Sequence, residues 1–202
     1  AGVRLPVRAG SAGGNRIVNH HAAFDEEAAR TYDEDEQAMF HPSVVDPAVE
    51  FLMDLAAGRP ALEFGVGTGR IALLLAARGV EVVGIDTSEA MLDRLRAKPG
   101  AADITVVVGD MATTRVPGSF GLVYLVFNTI TNLLTQQEQV ACFQNAADHL
   151  EPGGHFVVET FVPALRRLPS GERFVAFDMS DDHVGIDEYD LVNSTLTSDR
   201  KS

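Results

Sequence analysis

Tryptophan is absent, cysteine occurs once, and cations are scarce: 16 Lys and Arg stand against 29 Asp and Glu, a formal net charge of -13. Each scarcity excludes something. The lone Cys142 cannot close an internal disulfide, which fits a reducing cytoplasm, and its mid-helix position reads as a small core residue rather than a nucleophile. So acidic a chain is repelled by phosphate backbones, and no basic cluster denser than Arg166-Arg167 offers a local groove. A nucleic-acid partner is therefore not expected. No apolar run approaches the roughly 20 residues of a membrane helix, and no charged-then-apolar leader resembles a secretion signal. His20-His21 lacks a third ligand, so no metal site is expected. The composition predicts a cytoplasmic protein with no membrane partner.

Against these absences, 46% of the 202 residues are hydrophobic, enough for one domain with a full core. Residues 61–86, ALEFGVGTGRIALLLAARGVEVVGID, carry the most information. An apolar run from Ala61 to Phe64 enters a loop with glycines at Gly65, Gly67 and Gly69. Helix-period residues follow from Ile71 to Arg78, stopped by Gly79, and a second apolar run ends on Asp86. This is strand, glycine turn, helix, strand, acid: half of a nucleotide-binding βαβ unit. Glycines let a backbone approach a ligand closely. A carboxylate at the second strand's tip can accept from both ribose hydroxyls.

Further along, strands are expected at 104–108, 121–127 and 155–161, alternating with helices that begin at Ser88 and at the capping box Thr135-Gln136-Gln137-Glu138. That last helix is expected to bury Val140, Phe143, Ala147 and Leu150. An earlier helix is predicted to start at Asp46-Pro47 and to bury Val45, Val49, Leu52 and Leu55 or Ala56 before Gly58. Between Asp25 and Glu36 seven carboxylates and one arginine surround Tyr32, a pattern that reads as a solvated helix face. Strands alternating with helices imply a parallel α/β sheet with right-handed crossovers. After Phe161 the pattern changes: 173–179 alternates, 185–197 is strand-like, and SDDH at 180–183 is turn chemistry, together an antiparallel hairpin.

The glycine spacing is G-x-G-x-G with Glu63 two residues before the first glycine, not the G-x-G-x-x-G of dinucleotide folds. In this the chain resembles the class I S-adenosylmethionine-dependent methyltransferases, of the small-molecule type. Val106 to Met111, Phe120 to Thr129, and Leu150 to Gly154 followed by HFVVET resemble that family's later motifs, in its order, over residues 61–161. The resemblance implies a Rossmann-like, doubly wound, mostly parallel sheet with helices on both faces, S-adenosylmethionine as cofactor, and methyl transfer to a small molecule. It implies that Gly65, Gly67 and Gly69 hold the methionine part and ribose, and that Glu63 orients the loop and approaches the amino group. Asp86, beside Thr87, would take the ribose hydroxyls. Asp110 and Met111 would meet the adenine, Asp110 equally reading as a cap or turn residue, and Phe127 would line the site. Tyr32, His41, Asn128 and Glu159 are candidates for the acceptor side, the first three as catalytic residues.

The loop after the fourth strand reads Asn128-Thr129-Ile130-Thr131, unlike the Asn/Asp-Pro-Pro-aromatic tetrad of amino-methylating DNA enzymes. With the acidic charge this favours a small acceptor bearing an N or O nucleophile, an amino sugar or another secondary metabolite. The corresponding organisation is a flexible leader at 1–19, an N-terminal helical lid at 20–58, the cofactor-binding core at 59–162 and a hairpin cover at 163–202. The acceptor would sit between the segment around Tyr32, the loop at Asn128 and that hairpin. The family's usual C-terminal strands are missing from this reading. Two alternatives stay open, an NAD-dependent oxidoreductase and a non-catalytic binder of S-adenosylmethionine.

Overall fold

Parallel neighbours need a long crossover between them, and over residues 61–158 the strand-forming runs are spaced widely enough to pair in parallel, as they do here. The computed structural model describes residues 26–35, 37–162, 165, 168–179, 184–192 and 195–201. Residues 1–25, which include the expected leader and His20-His21, lie outside the described residues, as do Arg166-Arg167 and 180–183. Contacts divide the chain into a unit ending at Thr160 and one beginning at Phe161.

In the first unit β1 (Ala61–Phe64), β2 (Val82–Asp86), β3 (Ile104–Val108), β4 (Phe120–Leu125) and β5 (Leu150–Val158) form a parallel sheet of order β3-β2-β1-β4-β5. The chain reverses direction of growth between β1 and β4, where both neighbours' helices diverge and a crevice opens. The strand pleat sorts the core into two layers. Ala61, Val82, Ile104, Leu122 and Tyr124 pack beneath α2 (Pro42–Ala56), α3 (Ala72–Ala77) and α4 (Glu89–Arg96). Leu62, Phe64, Ile85, Val123 and Leu125 face α5 (Gln136–His149).

Two helices depart from expectation. α2 begins at Pro42, not Asp46-Pro47, because a complete cap exists upstream: His41 Nδ1 accepts the Ser43 N–H at 3.3 Å and Pro42 supplies the first helical position. Pro47 then sits inside the helix without a hydrogen bond to donate. Burial of Val45, Val49, Leu52 and Ala56 along one stripe offsets that loss. α5 turns a different face inward. It buries Cys142, Asn145, Ala146 and His149, while Val140 and Phe143 are about half exposed and Ala147 is exposed. The cause is two buried polar side chains, whose partners no periodicity reveals. The capping box of Thr135 and Glu138 and the Ser88 cap of α4 form as expected.

α1 (Glu26–Asp35) precedes a single 3-10 turn at Gln37–Phe40 and packs on α4, burying Ala29. In the second unit β6 (Phe174–Met179), β7 (Val184–Asp190) and β8 (Thr195–Lys201) form an antiparallel sheet in that order. The stretch 185–197 is thus two strands rather than one; Asp190 Oδ1 accepts the Val192 N–H at 3.0 Å and starts the turn that splits it. Among the described residues no helix is long and apolar enough to cross a membrane.

Candidate functional site

The carboxyl ends of β1, β2 and β4 meet at the crevice, and the glycine loop lies across it. Its three glycines have positive φ, but their surroundings differ. A Cβ on Gly65 would collide with the Thr129 methyl, and one on Gly69 would lie 2.9 Å from Leu95 of α4. Those two glycines are required by protein packing. A Cβ on Gly67 would meet only the Met91 Cε, at 4.0 Å. The space before Gly67 is open, and its backbone is the part of the loop a ligand can approach.

Asp86, at the tip of β2, reaches the same loop. Its Oδ2 accepts the Gly67 N–H at 2.8 Å and its Oδ1 the Ser88 N–H at 2.9 Å. Burial pushes its carboxyl above the ordinary range, against the pull of the Ser88, Gly67 and Thr87 N–H groups. Three N–H groups on two carboxylate oxygens still leave a lone pair for a hydroxyl donor. Thr87 beside it is half-buried.

Glu63 is 3% exposed and directed into the protein. Its Oε2 accepts the Tyr124 hydroxyl at 2.9 Å across the β1–β4 pairing that sets the two residues side by side. It also accepts from the backbone of Ala72, the first residue of α3, whose own N-cap Ile71 makes no side-chain cap bond. The acid two residues before the first glycine therefore caps the glycine-loop helix from a neighbouring strand. Desolvation raises its carboxyl to about 8, with Tyr124, Arg70 and Ala72 holding it below what burial alone would give. Tyr124 is raised well above 10.0 by the same burial and by Glu63. Sequence reading missed Tyr124, which hides in the apolar run LVYLVF.

At the mouth of β4, Phe127 and Asn128 both have positive φ, +59° and +61°. For a bulky aromatic such a backbone costs roughly 1–3 kcal/mol and persists only when neighbours impose it. Glu159 does so at one end: its Oε2 accepts the Phe127 N–H at 2.9 Å and its carbonyl the Asn128 N–H at 3.3 Å. Arg70 does so at the other, its guanidinium 4.2 Å from the Phe127 ring centroid, with one N–H on Met39 O at 3.3 Å. Arg70, absent from the sequence-based candidates, joins the glycine loop to this strained turn.

After β3, Asp110 is exposed and its Oδ1 accepts the Ala112 N–H at 2.6 Å, an Asx turn, while Met111 is buried. Tyr32 lies half-buried on α1. That helix is not a wholly solvated face: Asp33 accepts from the Thr68 hydroxyl at 2.6 Å and pairs with Lys98 at 2.5 Å, and Arg94 donates to Arg30 O at 2.6 Å. His41 is exposed and caps α2. Cys142 is fully buried, its thiol pushed up to about 12 by burial and then by the Asp110 charge. A cavity of about 320 Å³ opens beside α1 and α3, lined by Asp33, Phe40, Val45, Arg70, Leu73 and Lys98 among others. Its lining excludes Gly67 and Asp86, so it is not the crevice over the loop.

Comparison with known proteins places this geometry. Residues 61–154 match the model of a methyltransferase domain family. A dTDP-3-amino-3,4,6-trideoxy-alpha-D-glucopyranose N,N-dimethyltransferase of Streptomyces venezuelae is 37% identical over 79 residues, which is 39% of this chain and 32% of that one. A probable S-adenosylmethionine-dependent methyltransferase of Mycolicibacterium smegmatis is 36% identical over 105 residues, 52% of this chain and 38% of that protein. The chain thus spans about a third of the length of these relatives. Among solved structures, the CcbJ methyltransferase of Streptomyces caelestis superposes with a TM-score of 0.65 at 41% identity, covering 75% of this chain and 63% of that one. DesVI of Streptomyces venezuelae shares the fold, with a TM-score of 0.61 at 20% identity over 88% of this chain and 81% of its own. The glycine loop, the acid at the end of β2 and the sheet order all lie on that matched span: residues 61–154 match a methyltransferase domain family, and the fold that carries them is similar to that of methyltransferases of known structure.

Proposed function

We propose that this protein transfers a methyl group from S-adenosylmethionine to the amine of a small molecule of the amino-sugar or secondary-metabolite class. The observation that carries the reading is the open backbone at Gly67 held against Asp86, since it alone in the loop leaves room for a ligand beside a hydroxyl acceptor. In this reading the loop cradles the methionine part and ribose at Gly67, with Gly65 and Gly69 bending the backbone there, and Asp86, with Thr87 next to it, takes the ribose hydroxyls. Asp110 and Met111 meet the adenine and Phe127 lines the opening. Glu63 shapes the loop through Ala72 and Tyr124, and a nearby ammonium would favour its ionised form.

The cofactor supplies a methyl already activated on a sulfonium, so the protein's task is alignment and exclusion of water. An amine acceptor must be neutral to attack, and it sheds a proton afterwards. Carboxylates at the rim, Glu159 foremost, suit a cationic amine and can receive that proton. Tyr32, His41 and Asn128 are the acceptor-side candidates; His41 already spends its ring nitrogen on the cap of α2. In this reading α1 serves as a lid, a role supported by the bond of the Thr68 hydroxyl to Asp33 that joins it to the loop. The amino-sugar acceptor of the Streptomyces venezuelae relative supports this substrate class.

The test is transfer of labelled methyl to a panel of amino sugar nucleotides, with Gly67→Val as control. Label is expected in an amine product with the parent protein and none with the folded variant, whose branched side chain fills the open space and resists φ +55°. Label in no amine of the panel would contradict the substrate class.

A further inference from the structure

We propose that Asn145 and His149, on the inward face of α5, are positioning residues that set the adenine end of the site through the loop after β3. This rests on the cofactor reading above. Asn145 is 0% and His149 3% exposed, and buried polar groups of this kind are costly unless fully satisfied. Here they are satisfied almost entirely by one loop. Asn145 Nδ2 donates to Met111 O at 2.7 Å and Thr114 O at 3.0 Å, while its Oδ1 accepts from Arg115 at 2.6 Å. His149 Nε2 accepts the Val116 N–H at 3.0 Å, which requires Nδ1 to carry the proton and donate to Asn145 O at 2.8 Å. Arg115 closes the network on Asp148 at 2.6 Å.

The loop needs such a hold. β3 is an edge strand, so the segment leaving it has a sheet neighbour on one side only. Its own bonds are local: Asp110 Oδ1 to Ala112, and the Thr114 hydroxyl to the Asp110 N–H at 2.8 Å. Packing alone would be served by a side chain without strong hydrogen-bonding groups at 145, as at Cys142 and Ala146 on the same face. Donors and an acceptor there fix direction instead. They turn Met111 O inward and leave the Met111 N–H and the second Asp110 carboxylate oxygen without a partner among the described residues. A donor and an acceptor on adjacent residues match the N1 and N6 amine of adenine, and mismatch a purine whose 6-amine is replaced by a carbonyl.

The measurement is the affinity ratio between S-adenosylhomocysteine and S-inosylhomocysteine, by calorimetry. The parent protein is expected to prefer the adenine compound by about tenfold or more, the effect of one or two mispaired hydrogen bonds. Asn145→Ala should lower that preference to about threefold or less. Arg115→Met, at a half-exposed side chain, removes the donor to Asn145 Oδ1 without opening the core and should lower it in the same direction. If Asn145→Ala does not fold, Arg115→Met decides. Weakening of both ligands by the same factor, or an unchanged ratio, would show a purely structural staple and overturn the proposal. Failure of the parent protein to bind either ligand would instead overturn the cofactor reading, and this role with it.

Discussion

At the scale of single residues the site is a set of acids given different tasks by their surroundings. Asp86 keeps two backbone N–H groups in reach and faces the open part of the loop, whereas Glu63 is turned into the sheet to cap α3. Asp86→Ala removes charge-assisted acceptors worth roughly 1.5–3 kcal/mol each, so S-adenosylhomocysteine should bind at least about tenfold more weakly by calorimetry. Equal affinity would take the ribose role from Asp86. Glu63 makes a different prediction. Its carboxyl titrates near 4.5 when unfolded and about 8 when folded, so the folded state holds the proton more tightly. Its contribution is fully present below pH 4.5 and is lost as pH rises through about 8. Denaturant unfolding of the parent protein should lose stability over that window relative to Glu63→Gln; parallel pH profiles would contradict the buried, protonated assignment. The strand that carries Glu63 and the spacing of its glycines were legible because both are local. Tyr124 was not, since a hydroxyl in an apolar run gains its meaning only from the β1–β4 register.

At the scale of elements, what periodicity could read was the existence and order of strands and helices, and what it could not read was which buried polar groups find partners. α5 shows the cause. Val140, Phe143, Ala147 and Leu150 form the more apolar stripe, yet the helix turns Asn145 and His149 inward because the loop at 111–116 satisfies them. Val140→Ala should therefore change stability by less than about 0.5 kcal/mol. Ala146→Leu should cost about 1–3 kcal/mol by overpacking a residue that has no exposed surface. Thermal or denaturant unfolding of the two variants tests the orientation, and the reverse ranking would contradict it. α1 is a second case, since a run of carboxylates gave no hint that Asp33 would reach Thr68 and Lys98. Amide exchange across residues 26–41 should slow when S-adenosylhomocysteine binds, because ligand contacts at the loop stabilise the element tied to it. Unchanged exchange would leave α1 as ordinary surface.

At the scale of the whole molecule, a parallel sheet growing outward from β1 sets every strand's carboxyl end on one edge, with the crevice between β1 and β4, and the motifs that read as a methyltransferase in sequence fall along that edge. The same architecture also suits nicotinamide cofactors, and a ribose acceptor such as Asp86 serves either. The decisive difference is the ligand itself. Calorimetric titration of the protein with S-adenosylhomocysteine, and in parallel with NADH, tests the central claim. Saturable one-site binding of S-adenosylhomocysteine in the micromolar range, about -8 kcal/mol, is expected, with no heat from NADH. Binding of NADH with no response to S-adenosylhomocysteine would contradict it.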